Sequence, residues 1–250
     1  MLNRPPLLIT AVAAVAVGLS ACAGGSGTTA TTPSSATKAS TSSTPSTPVT
    51  TTATSGPRDV VTLKSALLEL ADLPSGFAIE PSTDSGDDSG PASSKDPKCA
   101  ALVKFANAKT APGSKGSADV SFSGGQDGPF IDESIDAMGS ADAVKALQAS
   151  LKSAVVACRQ LTITIPGQGS STMKVTEVSA PKFGDDTIAA RMTASSGPLA
   201  GLEITQVAAG VNDVIVSLNF LAAVAEDVDG ATEAAVGKAQ EVLGGAKAGA

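Results

Sequence analysis

Histidine, tryptophan and tyrosine are absent from the 250-residue chain, and phenylalanine occurs only six times. The lack of histidine excludes Ser-His-Asp and Cys-His catalytic arrangements and leaves any metal site without imidazole ligands. The scarcity of aromatic rings leaves few platforms on which bases or sugars could stack. With 17 Lys and Arg against 24 Asp and Glu, the formal charge is −7, so no nucleic-acid partner is expected.

The N-terminus has the features of a bacterial lipoprotein signal peptide. Arg4 supplies a basic start, and the apolar stretch Leu7–Leu19 is shorter than the about 20 residues that a permanent membrane helix needs. It ends in Leu-Ser-Ala-Cys22, in which small residues precede a thiol that can accept a diacylglycerol. We predict a signal peptide over residues 1–21 and N-palmitoyl and S-diacylglycerol groups on Cys22, which hold the chain to the outer face of the cell membrane. An ordinary secretory signal with an incidental cysteine is the alternative.

Residues 22–57 are almost wholly Thr, Ser, Ala, Gly and Pro, and Lys38 is their one charged residue. Such a segment cannot bury enough apolar surface to offset the entropy of the chain. We therefore predict a lipidated cysteine followed by a disordered tether. The composition suits O-glycosylation and a bare spacer equally.

Residues 58–250 change to alternating apolar patterns and predict one α+β domain, an antiparallel β-sheet flanked by helices. Helical spacing predicts helices over 63–73, from Asp96-Pro97 through Phe105, over 141–157 with Ser140 as N-cap, and over 226–243 with Val242 facing inward. Period-two alternation predicts strands at 76–79, 118–122, 130–138, 161–165, 173–178, 188–193, 202–208 and 214–220. The strands from residue 161 onward are expected to form an antiparallel meander.

Two cysteines, Cys99 and Cys158, remain after lipidation of Cys22. In an exported protein two buried thiols most often pair, so we predict a disulfide that joins the second helix to the third. A redox-active or metal-binding pair is the alternative, but the two residues lack CxxC spacing.

Motifs that carry chemistry are scarce. The one Ser-x-x-Lys, Ser35–Lys38, lies in the tether, and no P-loop or GxSxG motif occurs. The acidic run Asp84–Asp88 lacks the alternate-residue spacing of a calcium loop and is better interpreted as a solvated loop. No catalytic residue, cofactor or metal ligand is predicted, and the chain is not expected to be an enzyme.

The leader, the tether, the segment Leu67-Leu-Glu-Leu-Ala-Asp-Leu-Pro-Ser-Gly-Phe77 and the helix cysteines resemble mycobacterial cell-envelope lipoproteins. The globular part, about residues 60–245, is similar to the PknH-type extracellular sensor domains. The resemblance implies an antiparallel sheet flanked by helices, with a cleft for an unidentified ligand. Members commonly have two disulfides, whereas here only Cys99 and Cys158 can pair.

Two classes of function follow from these observations. The first is a membrane-anchored, non-catalytic module that binds or senses a small or amphiphilic ligand at the cell envelope. The second is a structural or protein-interaction lipoprotein that docks an envelope protein. A lipid carrier of the cell envelope shares the anchor and the size, but no local motif favours it.

Overall fold

A computed structural model describes residues 58–81, 92–179 and 183–244. In these ranges the chain forms nine β-strands and four α-helices. In chain order they are α1 (Val60–Ser65), β1 (Ala78–Glu80), β2 (Ala92–Ser93), α2 (Ala100–Ala106), β3 (Gly116–Ser123), β4 (Phe130–Ala137), α3 (Ala141–Ala157), β5 (Gln160–Ile165), β6 (Gly169–Val178), β7 (Asp185–Ala194), β8 (Glu203–Val211), β9 (Val214–Leu221) and α4 (Ala225–Leu243).

All nine strands form one sheet in the order β1-β3-β4-β9-β8-β7-β6-β5-β2. The strands β5 to β9 follow one another as the predicted antiparallel meander, and β3 and β4 form the predicted hairpin. β9 pairs antiparallel with the whole length of β4 and so joins the hairpin to the meander. The predicted α+β class, an antiparallel sheet flanked by helices, is confirmed.

Helices lie on both faces of the sheet, but each pair covers only part of its face. α1 and α4 pack over β3, β4, β8 and β9, whereas α2 and α3 pack on the opposite face, mainly over β5 to β8. β9 contributes to both cores because successive side chains of a strand point to opposite faces: Val216 packs on the α4 side and Ile215 on the α3 side. Among the described residues, about half of each face of the sheet therefore carries no helix.

The helix signals on the α3 face are confirmed. Asp96 accepts a hydrogen bond from the backbone N–H of Lys98 at 3.0 Å, in the 3-10 turn that leads into α2. The Ser140 hydroxyl accepts a hydrogen bond from the backbone N–H of Ala143 at 3.2 Å, and α3 has the predicted bounds. These caps satisfy backbone donors that a helix cannot satisfy internally.

Two helix predictions on the α4 face are wrong in detail. The single helix expected over 63–73 ends at Ser65, and a separate 3-10 turn forms at Leu70–Asp72. The helix ends in two i→i−3 hydrogen bonds, from the N–H groups of Ala66 and Leu67, and the backbone N–H of Leu68 then donates to the carboxylate of Glu133 on β4 at 2.7 Å. At the end of α4 the inward residue is Leu243, which is 2% exposed, whereas Val242 is 38% exposed.

Candidate functional site

The α3-side face of β1, β3, β4 and β9 is lined by polar side chains, and we call it the polar shelf. Strand register places its members on one surface because paired residues of neighbouring strands point to the same side. The shelf consists of Glu80, Ser117, Asp119, Ser121, Asp132, Ser134 and Asn219. Each of these side chains is exposed or half-buried. No helix among the described residues covers this surface.

Three buried polar residues form the floor of the shelf, where it meets the part of the sheet under α3. Asp136 on β4, Ser217 on β9 and Gln206 on β8 are 0%, 5% and 7% exposed. Asp136 Oδ2 accepts a hydrogen bond from Ser134 Oγ at 3.2 Å, and Gln206 Nε2 donates to Asn219 Oδ1 at 3.0 Å. Within the described ranges, Asp136 Oδ1, Ser217 Oγ and Gln206 Oε1 have no hydrogen-bond partner.

Such unpartnered atoms are informative because burying a polar group without a partner costs about 1 to 3 kcal/mol. Native proteins keep few of them, and each calls for a physical explanation. Of the three atoms, those of Asp136 and Ser217 belong to diagonal neighbours on β4 and β9, and that of Gln206 lies further along the sheet.

A small cavity adjoins the floor between α2, α3 and the strands β7 and β8. Its volume is about 10 Å³, which is room for roughly one water molecule. Gln206 is its polar residue, and the remaining lining is apolar: Leu102, Phe105, Leu151, Val155, Ile188, Ala190 and Ala208. Because a ligand pocket for a drug-sized molecule measures about 300 to 1,000 Å³, this cavity holds no acyl chain as it stands.

The charge on the shelf is negative. In the described part of the chain, Glu80, Asp132 and Asp136 form no ion pair. The described residues also contain no group of three Asp, Glu, Cys or His side chains that could hold a metal ion. The surface therefore offers carboxylate, hydroxyl and amide oxygens to a ligand that brings its own donors.

A second buried acid lies on the opposite face of the sheet. Glu133 on β4 is 1% exposed, and its Oε1 has no hydrogen-bond partner among the described residues. Burial raises the pKa of Glu133 to about 7, although the hydrogen bond from the Leu68 N–H and the charge of Lys238 lower it.

Lys238 donates to Asp72 Oδ2 at 2.7 Å. Burial is the largest single effect on both groups and opposes their charged forms. The Lys238–Asp72 hydrogen bond, the attraction between the two charges and the contacts with Glu69 together outweigh it, so the pKa of Asp72 is lowered and that of Lys238 is raised.

Of the three site residues predicted from the sequence, two lie in the described part of the chain and one lies outside it. Cys99 and Cys158 form the predicted disulfide, with an S–S distance of 2.03 Å, and it joins the start of α2 to the end of α3. Cys22 lies outside the described residues, as do the tether and the acidic run Asp84–Asp88.

The floor residues were missed, although β4 carried a signal for them. Asp132, Ser134 and Asp136 alternate with mostly apolar residues, which indicates a strand with one polar face. Ser217 lies in an apolar strand, and only the pairing of β4 with β9 brings it diagonally beside Asp136. Gln206 lies further along the sheet, opposite Asn219.

Comparisons with known proteins identify a family and two solved structures similar to this chain. Residues 58–242 match a family described as the PknH-like extracellular domain. The crystal structure of the extracellular domain of PknH from Mycobacterium tuberculosis superposes with a TM-score of 0.55 at 18% identity, covering 76% of this chain and 98% of that chain. A putative uncharacterized protein from Mycobacterium smegmatis gives a TM-score of 0.40 at 13% identity, with 74% and 98% of the two chains covered. No curated protein matches the sequence.

Among the described residues, no helix combines the length and the apolar character that crossing a membrane requires.

Proposed function

This chain belongs to the PknH-like extracellular domain family, and on that premise we propose that it is a non-catalytic sensing module of the cell envelope that binds its ligand on the polar shelf. The observation that carries the proposal is the floor of the shelf. Asp136, Ser217 and Gln206 each bury an oxygen that has no hydrogen-bond partner among the described residues, next to the polar shelf. A ligand that donates hydrogen bonds there would remove the cost of leaving them unpaired.

The proposal also includes the lipid anchor at Cys22 and the division of the chain into a signal peptide, a tether and a binding domain. Residues 1–21 act as a signal peptide, lipidated Cys22 and the tether to residue 57 hold the chain to the membrane, and residues 58–250 form the binding domain. The family match that begins at residue 58 supports this boundary. So does Arg58, whose Nη2 lies 2.6 Å from Asp213 Oδ1 and donates to the Leu243 carbonyl at 2.8 Å. Arg58 thus contacts both the β8–β9 turn and the end of α4.

Anchoring is tested by the substitution Cys22→Ser in the full chain. The wild-type protein should partition into the detergent phase of a phase-separating detergent and incorporate labelled palmitate. The variant should do neither, because the thiol that accepts the diacylglycerol is missing. Equal partitioning of the two proteins would contradict the anchor and would leave the binding proposal untouched.

Ligand binding is tested with the processed chain, residues 22–250 with Cys22→Ser, mixed with a small-molecule extract of the cell envelope. Native and then denaturing mass spectra should show an added mass that leaves on unfolding. Ser121→Phe, on the shelf, should abolish the added mass by blocking the surface. Thr172→Phe, on the exposed α4-side face of β6, is the matched control and should retain it. A native mass spectrum of the wild-type protein without any added mass would contradict the proposal.

A second candidate function is docking of an envelope protein at the edge of the sheet. β1 pairs with the last residues of β3, Ser121–Ser123, and among the described residues no strand pairs with the outer side of the first residues of β3. An extended segment of a partner could add a strand there. A lipid carrier is less well supported because the cavity under α2 and α3 is too small for an acyl chain.

A further inference from the structure

We propose that the ligand of the polar shelf is an amphiphile, with an apolar part that lies beside the shelf and a head group that donates hydrogen bonds and carries no negative charge. The inference rests on the proposed function and adds the chemical class of the ligand. Its basis is a row of apolar side chains that borders the shelf, Phe130, Leu221 and Ile204, which we call the apolar rim.

Strand register places the apolar rim directly against the polar shelf. Phe130 on β4 is the Cα partner of Leu221 on β9, which is in turn the partner of Ile204 on β8. All three point to the α3 side of the sheet, because each lies two residues from a side chain of that face: Asp132, Asn219 and Gln206. Residues two apart on a strand are separated by about 7 Å, so one small molecule can contact the rim and the shelf together.

The rim offers apolar surface that the two hydrophobic cores do not use. The chain has six phenylalanines and no tryptophan or tyrosine. Phe130 belongs to neither core, and it is half-buried beside Leu221, which is 36% exposed. The other five phenylalanines pack in or against a core: Phe77, Phe105, Phe122, Phe183 and Phe220. In a chain with so few large apolar anchors, an aromatic ring outside both cores indicates a surface contact.

The backbone before Phe130 holds its ring in place. Gly128 has a φ of 89°, and a Cβ atom at this position would lie 3.2 Å from Cδ2 of the Phe130 ring and 3.1 Å from Cβ of Ala222. The ring therefore packs on the β3–β4 turn, close to the residue that follows Leu221. A preorganised aromatic surface binds an apolar group with little loss of conformational entropy.

The size of the rim fits a small molecule. It spans three neighbouring strands, about 10 Å, which a short alkyl chain covers. A protein interface of standard size needs about 20 to 30 residues on each side, far more than the rim provides.

The charge and the atom types of the shelf select the head group. Asp132 and Glu80 are exposed carboxylates that form no ion pair in the described part of the chain, and none of the shelf residues is basic. A phosphate, sulfate or carboxylate head group is therefore repelled. Carboxylates only accept hydrogen bonds, and the Ser121 hydroxyl can also accept, so a head group with O–H or N–H donors finds partners on the shelf.

The test is an NMR titration of the processed chain carrying Cys22→Ser, followed at the side-chain amide of Asn219, with probes kept below their micelle-forming concentrations. Octyl glucoside has an alkyl chain and an uncharged, hydroxylated head group. Methyl glucoside lacks the long chain, and octyl sulfate has an anionic head group without donors. Octyl glucoside should bind saturably, and each of the other two should bind at least roughly tenfold more weakly.

A pair of exposed apolar residues supplies the variant and its matched control. Leu221→Ser removes apolar surface from the rim and should weaken the binding of octyl glucoside by roughly fivefold to tenfold. Val61→Ser, at a 72% exposed position of α1 on the opposite side of the sheet, should leave the affinity within about a factor of two. Because both side chains are exposed, both variants should fold like the wild type.

Absence of octyl glucoside binding would overturn the inference, as would an equal affinity for methyl glucoside or for octyl sulfate. So would an unchanged affinity in Leu221→Ser or an equal loss in Val61→Ser. An anionic or wholly polar molecule captured on the shelf from the envelope extract would overturn the amphiphile and leave the proposed function standing. A native mass spectrum without any added mass in that experiment would remove both.

Discussion

Because Glu133 is a buried acid with a raised pKa, we predict that the domain becomes less stable as the pH rises toward neutrality. Its pKa is raised from 4.5 to about 7 in the folded protein, chiefly by burial. Below pH 4.5 the side chain is neutral in the folded and unfolded states. Between 4.5 and 7 the folded protein keeps the proton that the unfolded chain has lost, so unfolding releases a proton and stability falls with rising pH. At about 1.4 kcal/mol per pKa unit, the loss amounts to about 3 kcal/mol by pH 8.

The perturbation is Glu133→Gln, which keeps an acceptor for the Leu68 N–H and removes the charge. At pH 8 the variant should have a free energy of unfolding up to about 3 kcal/mol greater than that of the wild type, because no carboxylate is buried. At pH 5 this advantage should vanish. Neighbouring Asp72 and Lys238 should not obscure the effect, since the pKa of Asp72 is lowered and that of Lys238 raised, away from this pH window.

Urea unfolding between pH 5 and pH 8, followed by far-UV circular dichroism with the disulfide intact, measures the effect. Intrinsic fluorescence is unsuitable because the chain has no tryptophan or tyrosine. Glu233→Gln, at an exposed position of α4, is the charge-matched control and should follow the wild-type pH profile. A wild-type stability that is flat or increases over this range, or a constant offset for Glu133→Gln, would refute the reasoning.

Three further predictions concern stability. Replacing both Cys99 and Cys158 with alanine should lower the free energy of unfolding by about 4 kcal/mol, because the disulfide closes a loop of 59 residues; an unchanged urea midpoint would contradict this. Arg58→Ala should cost about 1 to 3 kcal/mol, since it removes the ion pair with Asp213, and hydrogen exchange should rise in the last turn of α4. Ser140→Ala should cost about 1 kcal/mol through the lost N-cap of α3, whereas Ser140→Asp should restore the stability.

The parts of the fold that the sequence predicted are those set by local signals. The Ser140 cap and the apolar stripe that begins at Val144 defined α3 to the residue. The alternation of Val214, Val216 and Leu218 with Ile215 defined β9, and short connections made the meander the simplest topology.

The rest depended on contacts between distant residues. After the end of α1, the N–H of Leu68 bonds to Glu133, which lies 65 residues away, and no local pattern shows such a partner. The shelf has the same origin, since its floor joins Asp136 to Ser217 through the pairing of non-consecutive strands. The polar alternation of β4 indicated a solvent-facing strand, but the sequence could not show that the neighbouring strand would bury unpaired oxygens beside it.

The most direct test of a ligand on the polar shelf is the response of side-chain amide signals in a two-dimensional NMR spectrum. The floor and the shelf carry two such groups, Gln206 and Asn219, which bond to each other. Asn107, which is bonded to the backbone of Ala92, is an internal control. On addition of envelope extract to the processed chain, the signals of Gln206 and Asn219 should move while that of Asn107 stays in place. Unchanged signals for Gln206 and Asn219 would contradict a ligand-binding role for this surface.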